Sequence, residues 1–430
     1  MEKQKHSFKE LLVLLLQKRM LVVLLLGFSS GLPIMVIYKT LKLWLRREGI
    51  DLSTIGFMSF LAVPYSWNFV WAFLLDRYTF FKSFGRRRGW LAITQIALAL
   101  SFLALSFAQP QQSLTLIAIA GFLLCFFSAT HDVAVDAYRN EILDESELGV
   151  GASFGVYGYR VAMWVASGFC IWIVDADTWN WTFNQMFRLL SFFALLGLLV
   201  TFWADEPENY SKKVSSLTQA VVHPFLDFFK RESAILILLF ILLYKFGDAI
   251  CGSMTSPFYA DLGYSNKDIG AISSTVGFFS TMAGLFIGGG VIYRFGYKAG
   301  LWVGGILQAL STGAYAILAY VTTKMVFAGI VFFEDMSSGI GTAALVALMG
   351  KLTNKSFTAS QYALFASLAS FGRTFFSGFA GQLIEYMQAH TLLTVQHAGY
   401  AQFFVSGMLM AIPGLICLYV LGKRTEEVLK

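Results

Sequence analysis

Several ionisable residues lie inside runs of apolar sequence, where a charge is costly and therefore usually functional. A carboxylate beside a cation stays ionised, whereas one that loses its cation in a low-dielectric interior takes up a proton. Residues of both signs therefore predict proton-coupling or substrate-binding sites. They are His131, Asp132, Asp136, Arg160, Lys245, Asp248, Glu334, Asp335 and Arg373.

Spacing separates these residues into groups with different expectations. Lys245 and Asp248 are one helical turn apart, so they form either a satisfied intrahelical pair or a proton site. Asp136 precedes Arg139 close to the predicted cytoplasmic surface, which favours a structural gate pair. Arg160 and Arg373 fall near the middle of their apolar runs, and we expect them to bind substrate or to partner a proton site.

Aromatic and amide side chains in the same runs predict a polar cavity. Aromatic stripes pack helices more often than they bind sugar rings, so both interpretations stay open. The candidates are Tyr65, Trp67, Asn68, Tyr157, Tyr159 and Gln361.

No residue set predicts catalysis or metal binding. The four cysteines lie in separate apolar runs without paired spacing, and no nucleophile motif is present. A multi-span membrane enzyme is therefore disfavoured. A sensor is disfavoured too, because no long soluble signalling domain is present.

The elements that must position these side chains are membrane-spanning helices. The chain has 430 residues, 57% hydrophobic and 13% charged, with a mean hydropathy of +0.64, against about 25% charged in a soluble domain. Apolar runs of about 20 residues recur along it, which predicts an all-α membrane protein with about twelve spans. Their predicted ranges are 20–41, 53–75, 89–108, 114–138, 151–173, 186–203, 233–256, 268–292, 299–321, 325–349, 359–387 and 399–421.

Polar segments divide the spans into two halves. We predict a cytoplasmic N-terminus with an interfacial helix (1–19), an N-terminal six-helix half (20–203) and a cytoplasmic linker (204–232). A C-terminal six-helix half (233–421) and a cytoplasmic tail (422–430) follow.

The distribution of Lys and Arg predicts that both termini are cytoplasmic. Basic clusters at both ends of the chain, in the linker and in alternate loops fall on one side under this topology. Lys42, Arg46 and Arg47 are the exception. They predict either a mouth that attracts anionic substrates or ordinary interfacial anchoring, and the second is slightly favoured.

The two halves repeat. G-I-D-L-S-T-I-G (49–56) matches G-Y-S-N-K-D-I-G (263–270), Gly85 matches Gly296, and Arg160 matches Arg373, with offsets of 211 to 214 residues. Parallel six-span repeats are the architecture of the major facilitator fold.

A loop motif supports that fold. L-L-D-R-Y-T-F-F-K-S-F-G-R-R-R-G (74–89) resembles the facilitator-superfamily loop between spans two and three. The resemblance implies a gating role on the cytoplasmic side, with Arg139 as a further member. The matching residues are Asp76, Arg77, Gly85, Arg86, Arg87 and Arg88.

Longer motifs extend the resemblance over essentially the whole chain. They include L-G-F-S-S-G-L-P (26–33), D-V-A-V-D-A-Y (132–138), L-Y-K-F-G-D-A (243–249), F-F-E-D (332–335) and N-K-S-F-T-A-S-Q-Y-A-L (354–364). By these motifs the sequence resembles the AmpG-type muropeptide permeases of Gram-negative bacteria. His131 is a departure, since the family pattern has a glutamine there.

The resemblance implies proton symport of N-acetylglucosaminyl-anhydro-N-acetylmuramic acid, with or without stem peptide, from periplasm to cytoplasm. Such import feeds peptidoglycan recycling and, in some bacteria, β-lactamase induction. It further implies an inner-membrane monomer that needs the lipid bilayer and a proton gradient but no cofactor or nucleic acid. The alternative is a facilitator carrier of another bulky metabolite, such as an acyl-coenzyme A or a sugar.

Overall fold

The structure is a computed structural model that describes residues 16–80, 83–144, 147–207, 228–230, 233–352, 358–391 and 393–424. These residues are almost entirely helical, and no strand occurs among them. The predicted interfacial helix and most of the predicted linker lie outside the described residues.

Helices occupy all twelve predicted spans within the described residues. Nine stretches of the described residues are long and apolar enough to cross a membrane: Lys18–Arg47, Arg86–Leu105, Leu114–Ile142, Gly151–Ile173, Phe183–Trp203, Ala234–Asp261, Asn266–Ala319, Lys324–Leu352 and Ala398–Lys423. Spans eight and nine share the stretch Asn266–Ala319, which breaks at Gly296. Spans two (52–77) and eleven (358–390) complete the set.

The backbone at four glycines supports the internal repeat. Gly49 and Gly263 have φ of 79° and 80°, and Gly85 and Gly296 have φ of 92° and 83°. These left-handed values suit glycine because it has no Cβ. The first two end a helix by the same turn, since the N–H of Gly49 donates to Arg46 and that of Gly263 to Ala260.

The residues after these turns also correspond. Asp51 and Ser265 each begin the next helix by accepting a hydrogen bond from the backbone three residues later, at Thr54 and Asp268. Burial raises the pKa of the Asp51 carboxyl and the hydrogen bonds from Thr54 lower it, so that the net pKa falls below its usual value.

Spans one and five cross through small residues. A Cβ added at Gly27, Gly31 or Gly158 would collide with the backbone of the opposite span, at Gly155, Tyr159 and Leu24 respectively. Small residues allow such close approach between membrane helices, which stabilises them by van der Waals contact.

The chain forms two compact units. The first contains Met1–Val36, Asn68–Ala166 and Trp181–Lys213, and the second contains Ile37–Trp67, Ser167–Asn180 and Val214–Lys430. The second unit therefore holds parts of spans one, two and five together with the predicted C-terminal half. In spans one and five, the boundary between units falls within π-helical segments, Val36–Thr40 and Val165–Phe169.

The basic residues that end span one pack inside the second unit. Lys42 is fully buried and donates to Ser59 Oγ at 2.8 Å and to the Ser253 carbonyl at 3.1 Å. Arg46 forms a bidentate pair with Asp261, at 2.5 and 2.7 Å. The expectation of interfacial anchoring is therefore wrong for Lys42, and its burial also excludes it from an open mouth.

Candidate functional site

Asp132 is a half-buried carboxylate of span four. Its Oδ1 accepts a hydrogen bond from the Ser30 hydroxyl of span one. Among the described residues, no cation forms an ion pair with it. A neutral hydroxyl is therefore the group that binds this carboxylate in the first unit.

His131 lies beside Asp132 in the sequence but makes different contacts. It is fully buried, with Nδ1 2.8 Å from Thr94 Oγ1 of span three. Nε2 has no hydrogen-bond partner in the part of the chain that the structure describes. The histidine thus lies between two spans of its own unit, separate from the hydroxyl that binds Asp132.

Asp136 and Arg139 form the predicted pair. Arg139 Nη2 lies 3.0 Å from Asp136 Oδ1, and the Asp136 side chain is 63% exposed. An exposed pair contributes little to stability, which agrees with a surface gate pair better than with a buried binding site.

Arg160 occupies the middle of span five in the first unit. It is half-buried, and within the described residues it forms no ion pair. Tyr159, its neighbour, packs with its backbone against Gly31, while Tyr157 is exposed. An arginine without an acidic partner inside a span is suited to an anionic group supplied by a ligand.

Lys245 is the centre of a polar cluster in the second unit. Its Nζ lies 3.6 Å from Asp248 Oδ2 and donates to Ser338 Oγ at 3.0 Å and Thr342 Oγ1 at 2.8 Å. Lys245 also separates two helices, Ala234–Tyr244 and Phe246–Gly252. The predicted pair is therefore present, but it extends to span ten and is more than an intrahelical contact.

Glu334 and Asp335 of span ten join the same cluster. Glu334 interacts electrostatically with Asp248 and with its neighbour Asp335. Asp335 accepts a hydrogen bond from Thr281 Oγ1 at 3.3 Å and interacts electrostatically with Lys245 and Lys39. Four residues predicted from the sequence, on spans seven and ten, thus come together in the second unit.

Lys39 is a member of this cluster that the sequence analysis did not single out. It lies near the predicted end of span one, close to three other basic residues, so it could not be distinguished from the basic exception there. The sequence did offer one signal for Lys39, namely a lysine inside an apolar run.

Arg373 lies in the second unit with an aromatic neighbour. Its guanidinium carbon is 5.1 Å from the centre of the Tyr38 ring, a cation–π geometry. Within the described residues it forms no ion pair. In this respect it resembles Arg160, its counterpart in the repeat.

The remaining cavity candidates are only partly described. Trp67 is exposed, whereas Tyr65 and Asn68 are half-buried. The side chains of Gln361 and of the motif residue Asp76 lie outside the described part of the chain.

The predicted gating motif forms a network within the first unit. Arg87 is buried and pairs with Glu141 at 2.6 and 2.7 Å, and Arg86 lies 3.4 Å from the same carboxylate. Arg88 donates to the carbonyls of Thr201 and Phe202, at the end of span six. These bonds join spans three, four and six.

Glu206 completes that network. Its carboxylate accepts the backbone N–H groups of Arg87 and Arg88, at 2.8 and 2.9 Å, and so binds the positive end of span three, which begins after Gly85. Neither Glu206 nor Glu141 was predicted, because each lies far along the sequence from the motif.

The described residues contain no group of three or more His, Cys, Asp or Glu side chains placed to hold a metal ion.

Comparison with known proteins identifies relatives of this chain. The sequence profile of the Major Facilitator Superfamily matches residues 21–377. The chain is 38% identical over 414 residues to the anhydromuropeptide permease of Escherichia coli K12, covering 95% of this chain and 81% of that protein. It is 31% identical to the putative transporter AmpG 4 of Rickettsia conorii, covering 95% and 97%.

Solved structures agree with the fold. A bacterial homologue of the human lysosomal transporter Spinster, inward-facing and unoccupied, matches with a TM-score of 0.72 at 13% identity, over 99% of each chain. The D-xylose–proton symporter matches with a TM-score of 0.68 at 14% identity, over 93% of this chain and 95% of that one. At these identities the likeness establishes the fold alone.

Proposed function

Because the chain belongs to the Major Facilitator Superfamily, and within it to the family of the anhydromuropeptide permeases, we propose that it imports anhydromuropeptides in symport with protons. The observation that carries the substrate is the 38% identity to the Escherichia coli permease over 95% of this chain. The direction is from periplasm to cytoplasm across the bacterial inner membrane, with both termini cytoplasmic.

The chemistry of the substrate suits Arg160 and Arg373, which have no acidic partner in the part of the chain that the structure describes. A muropeptide carries carboxylates on its stem peptide, and guanidinium groups bind carboxylates by paired, charge-assisted hydrogen bonds. We assign Arg160 in the first unit and Arg373 in the second as candidate carboxylate ligands. Tyr157 and Tyr159 are candidates for stacking against sugar rings.

The chemistry of proton coupling suits the cluster in the second unit. Asp248, Glu334 and Asp335 are three carboxylates close to one another and to Lys245. Neighbouring carboxylates in a low-dielectric site do not all stay ionised, so such a group binds and releases a proton when its cations move. We propose that this cluster carries the proton and that the carrier works as a monomer without a cofactor.

The test is uptake into proteoliposomes containing the purified protein. Labelled N-acetylglucosaminyl-anhydro-muramyl tripeptide is added outside, with and without an inward proton gradient. We expect accumulation above the external concentration only with the gradient, and its abolition by a protonophore. Vesicles without protein measure leakage.

Competition defines the substrate. Excess unlabelled muropeptide should block uptake, whereas acyl-coenzyme A and simple sugars should not. Equal competition by one of those compounds would replace the muropeptide by another bulky metabolite. Uptake that ignores the proton gradient would contradict symport and leave the substrate assignment standing.

A further inference from the structure

Lys39 joins three distorted segments of different spans. It lies in the π-helical segment Val36–Thr40 of span one. Its Nζ donates to Ser274 Oγ at 2.8 Å, in the π-helical segment Ile269–Val276 of span eight. Ser274 Oγ in turn donates to the Ser167 carbonyl at 2.8 Å, in the π-helical segment Val165–Phe169. Segments of this kind occur frequently at functional sites.

Lys39 also lies within electrostatic range of the carboxylate cluster. It interacts with Asp335 and Glu334 of span ten. Its hydrogen bond goes to Ser274, and among the described residues it forms no direct ion pair. The other charged groups that act on Asp335 are Lys245 and Asp248 of span seven.

Lys39 differs from the rest of the cluster in the half of the chain from which it comes. The carboxylates and Lys245 all belong to the C-terminal half of the chain, whereas Lys39 belongs to span one. Lys245 therefore accompanies the carboxylates whenever the C-terminal half moves. Lys39 accompanies them only while span one stays bound to span eight.

Resting on the symport proposed above, we propose that Lys39 is the coupling cation of this carrier. It favours the ionised carboxylates while span one lies against span eight, so a proton is released in that arrangement. When span one moves away, the carboxylates lose this cation and take up a proton. Lys39 is thus a positioning residue that acts on the proton site by its charge.

Two variants separate the charge of Lys39 from its hydrogen bond. Lys39→Gln removes the charge and keeps a side-chain N–H that can donate to Ser274. Ser274→Ala removes the hydroxyl and keeps the charge. Lys39→Arg retains the charge. Lys42→Met is a matched control because Lys42 is a buried lysine of the same span whose hydrogen bonds go to Ser59 and Ser253.

Each variant is measured in proteoliposomes in two ways. Exchange of labelled muropeptide without a gradient reports substrate binding and movement of the carrier. Accumulation with an inward gradient reports coupling, and a difference of about 1 pH unit corresponds to about tenfold accumulation per coupled proton. A merely structural role would change both measurements together.

We expect Lys39→Gln to exchange substrate while losing the gradient-driven accumulation, about tenfold at 1 pH unit. Lys39→Arg, Ser274→Ala and Lys42→Met should still accumulate. If Lys39→Gln accumulates like the wild type, Lys39 is not the coupling cation and symport stands. If the wild type itself exchanges without accumulating, symport fails and this role fails with it.

Ser274→Ala keeps the proposal testable where Lys39→Gln does not fold. A Ser274→Ala protein that accumulates supports a role by charge. One that exchanges substrate without accumulating overturns it, because the charge of Lys39 is then present and coupling is still lost.

Discussion

The two six-span halves repeat their backbone turns and one interior arginine, Arg160 and Arg373, but differ in the charges around their carboxylates. Gly49 and Gly263 turn with φ values of 79° and 80° and each precedes a helix capped by a short polar side chain. In the interior, the N-terminal half binds Asp132 with a hydroxyl, whereas the C-terminal half surrounds its carboxylates with Lys245 and, from span one, Lys39.

This difference shows which features a duplicated fold retains. Turn geometry and helix starts are required in both halves for the spans to form. Interior charges are free to diverge, so that one half can specialise in proton binding. The following predictions test that division, from the interior charges to the shared backbone.

The largest effect is expected when the interior pair of the C-terminal half is broken. Lys245→Met should destabilise the protein by about 3 kcal/mol, at the low end for a broken buried ion pair because both side chains keep some exposure. Thermal unfolding in detergent measures this. The double variant Lys245→Met/Asp248→Asn should recover much of the loss, and Asp132→Asn in the other half should cost far less. Equal losses of stability for Lys245→Met and Asp132→Asn would contradict the proposed difference between the two halves.

A smaller effect is expected at the arginines without acidic partners. Arg373→Gln should raise the KM for the tripeptide substrate about 30-fold, which is about 2 kcal/mol for a lost charged hydrogen bond. Arg160→Gln, tested alone, should act similarly. A disaccharide amide, which lacks every carboxylate, should be affected little.

Arg188→Gln is the matched control for Arg373→Gln. Arg188 also lies over an aromatic ring, that of Phe107 at 5.9 Å, but has no assigned role in binding. A comparable rise in KM for this variant, or for the disaccharide amide with Arg373→Gln, would argue against carboxylate recognition.

The shared turns should respond alike in the two halves. Gly263→Ala should cost about 1.5 kcal/mol, because φ near +80° strains a residue with a Cβ, although no atom lies within 4 Å of that Cβ. Gly49→Ala should cost the same in thermal unfolding. Gly252→Ala is the control, since its Cβ also meets nothing and its φ is not positive. If Gly263→Ala does not lower the thermal stability, the left-handed glycine is not required for this turn.

The smallest effect is expected at the cap of span three. Glu206→Ala should cost about 1 kcal/mol, the usual value for a lost helix cap, measured by thermal unfolding. Glu141→Ala should cost more, because it leaves the buried Arg87 without its bidentate partner. If Glu206→Ala costs more than Glu141→Ala, the cap at the start of span three stabilises the motif more than the Arg87–Glu141 pair does.

Local features of the sequence predicted the spans, the repeat and most of the cluster. Apolar runs locate the helices, and a charged residue inside such a run indicates a candidate site, as with Lys245 and Asp335. The partners of those charges depend on tertiary packing. Glu206 meets Arg87 across more than a hundred residues of sequence, and Lys39 lies within electrostatic range of carboxylates from the opposite half. Neither pairing leaves a local pattern.

The π-helical segments were likewise not predicted, since a widened turn keeps the same apolar composition. Span boundaries shifted for a related reason. Span one continues to Arg47 instead of ending at residue 41, because its basic residues find buried partners in the second unit.

The π-helical segment Val36–Thr40 also fixes the rotation of span one about its own axis. One residue in an α-helix corresponds to about 100° of rotation. Deleting a single residue from this segment would therefore turn Lys18–Met35 by about 100° relative to Leu41–Arg47. The face that carries Gly27 and Gly31 would then change its register along span one. The length of this segment therefore matters as well as its composition.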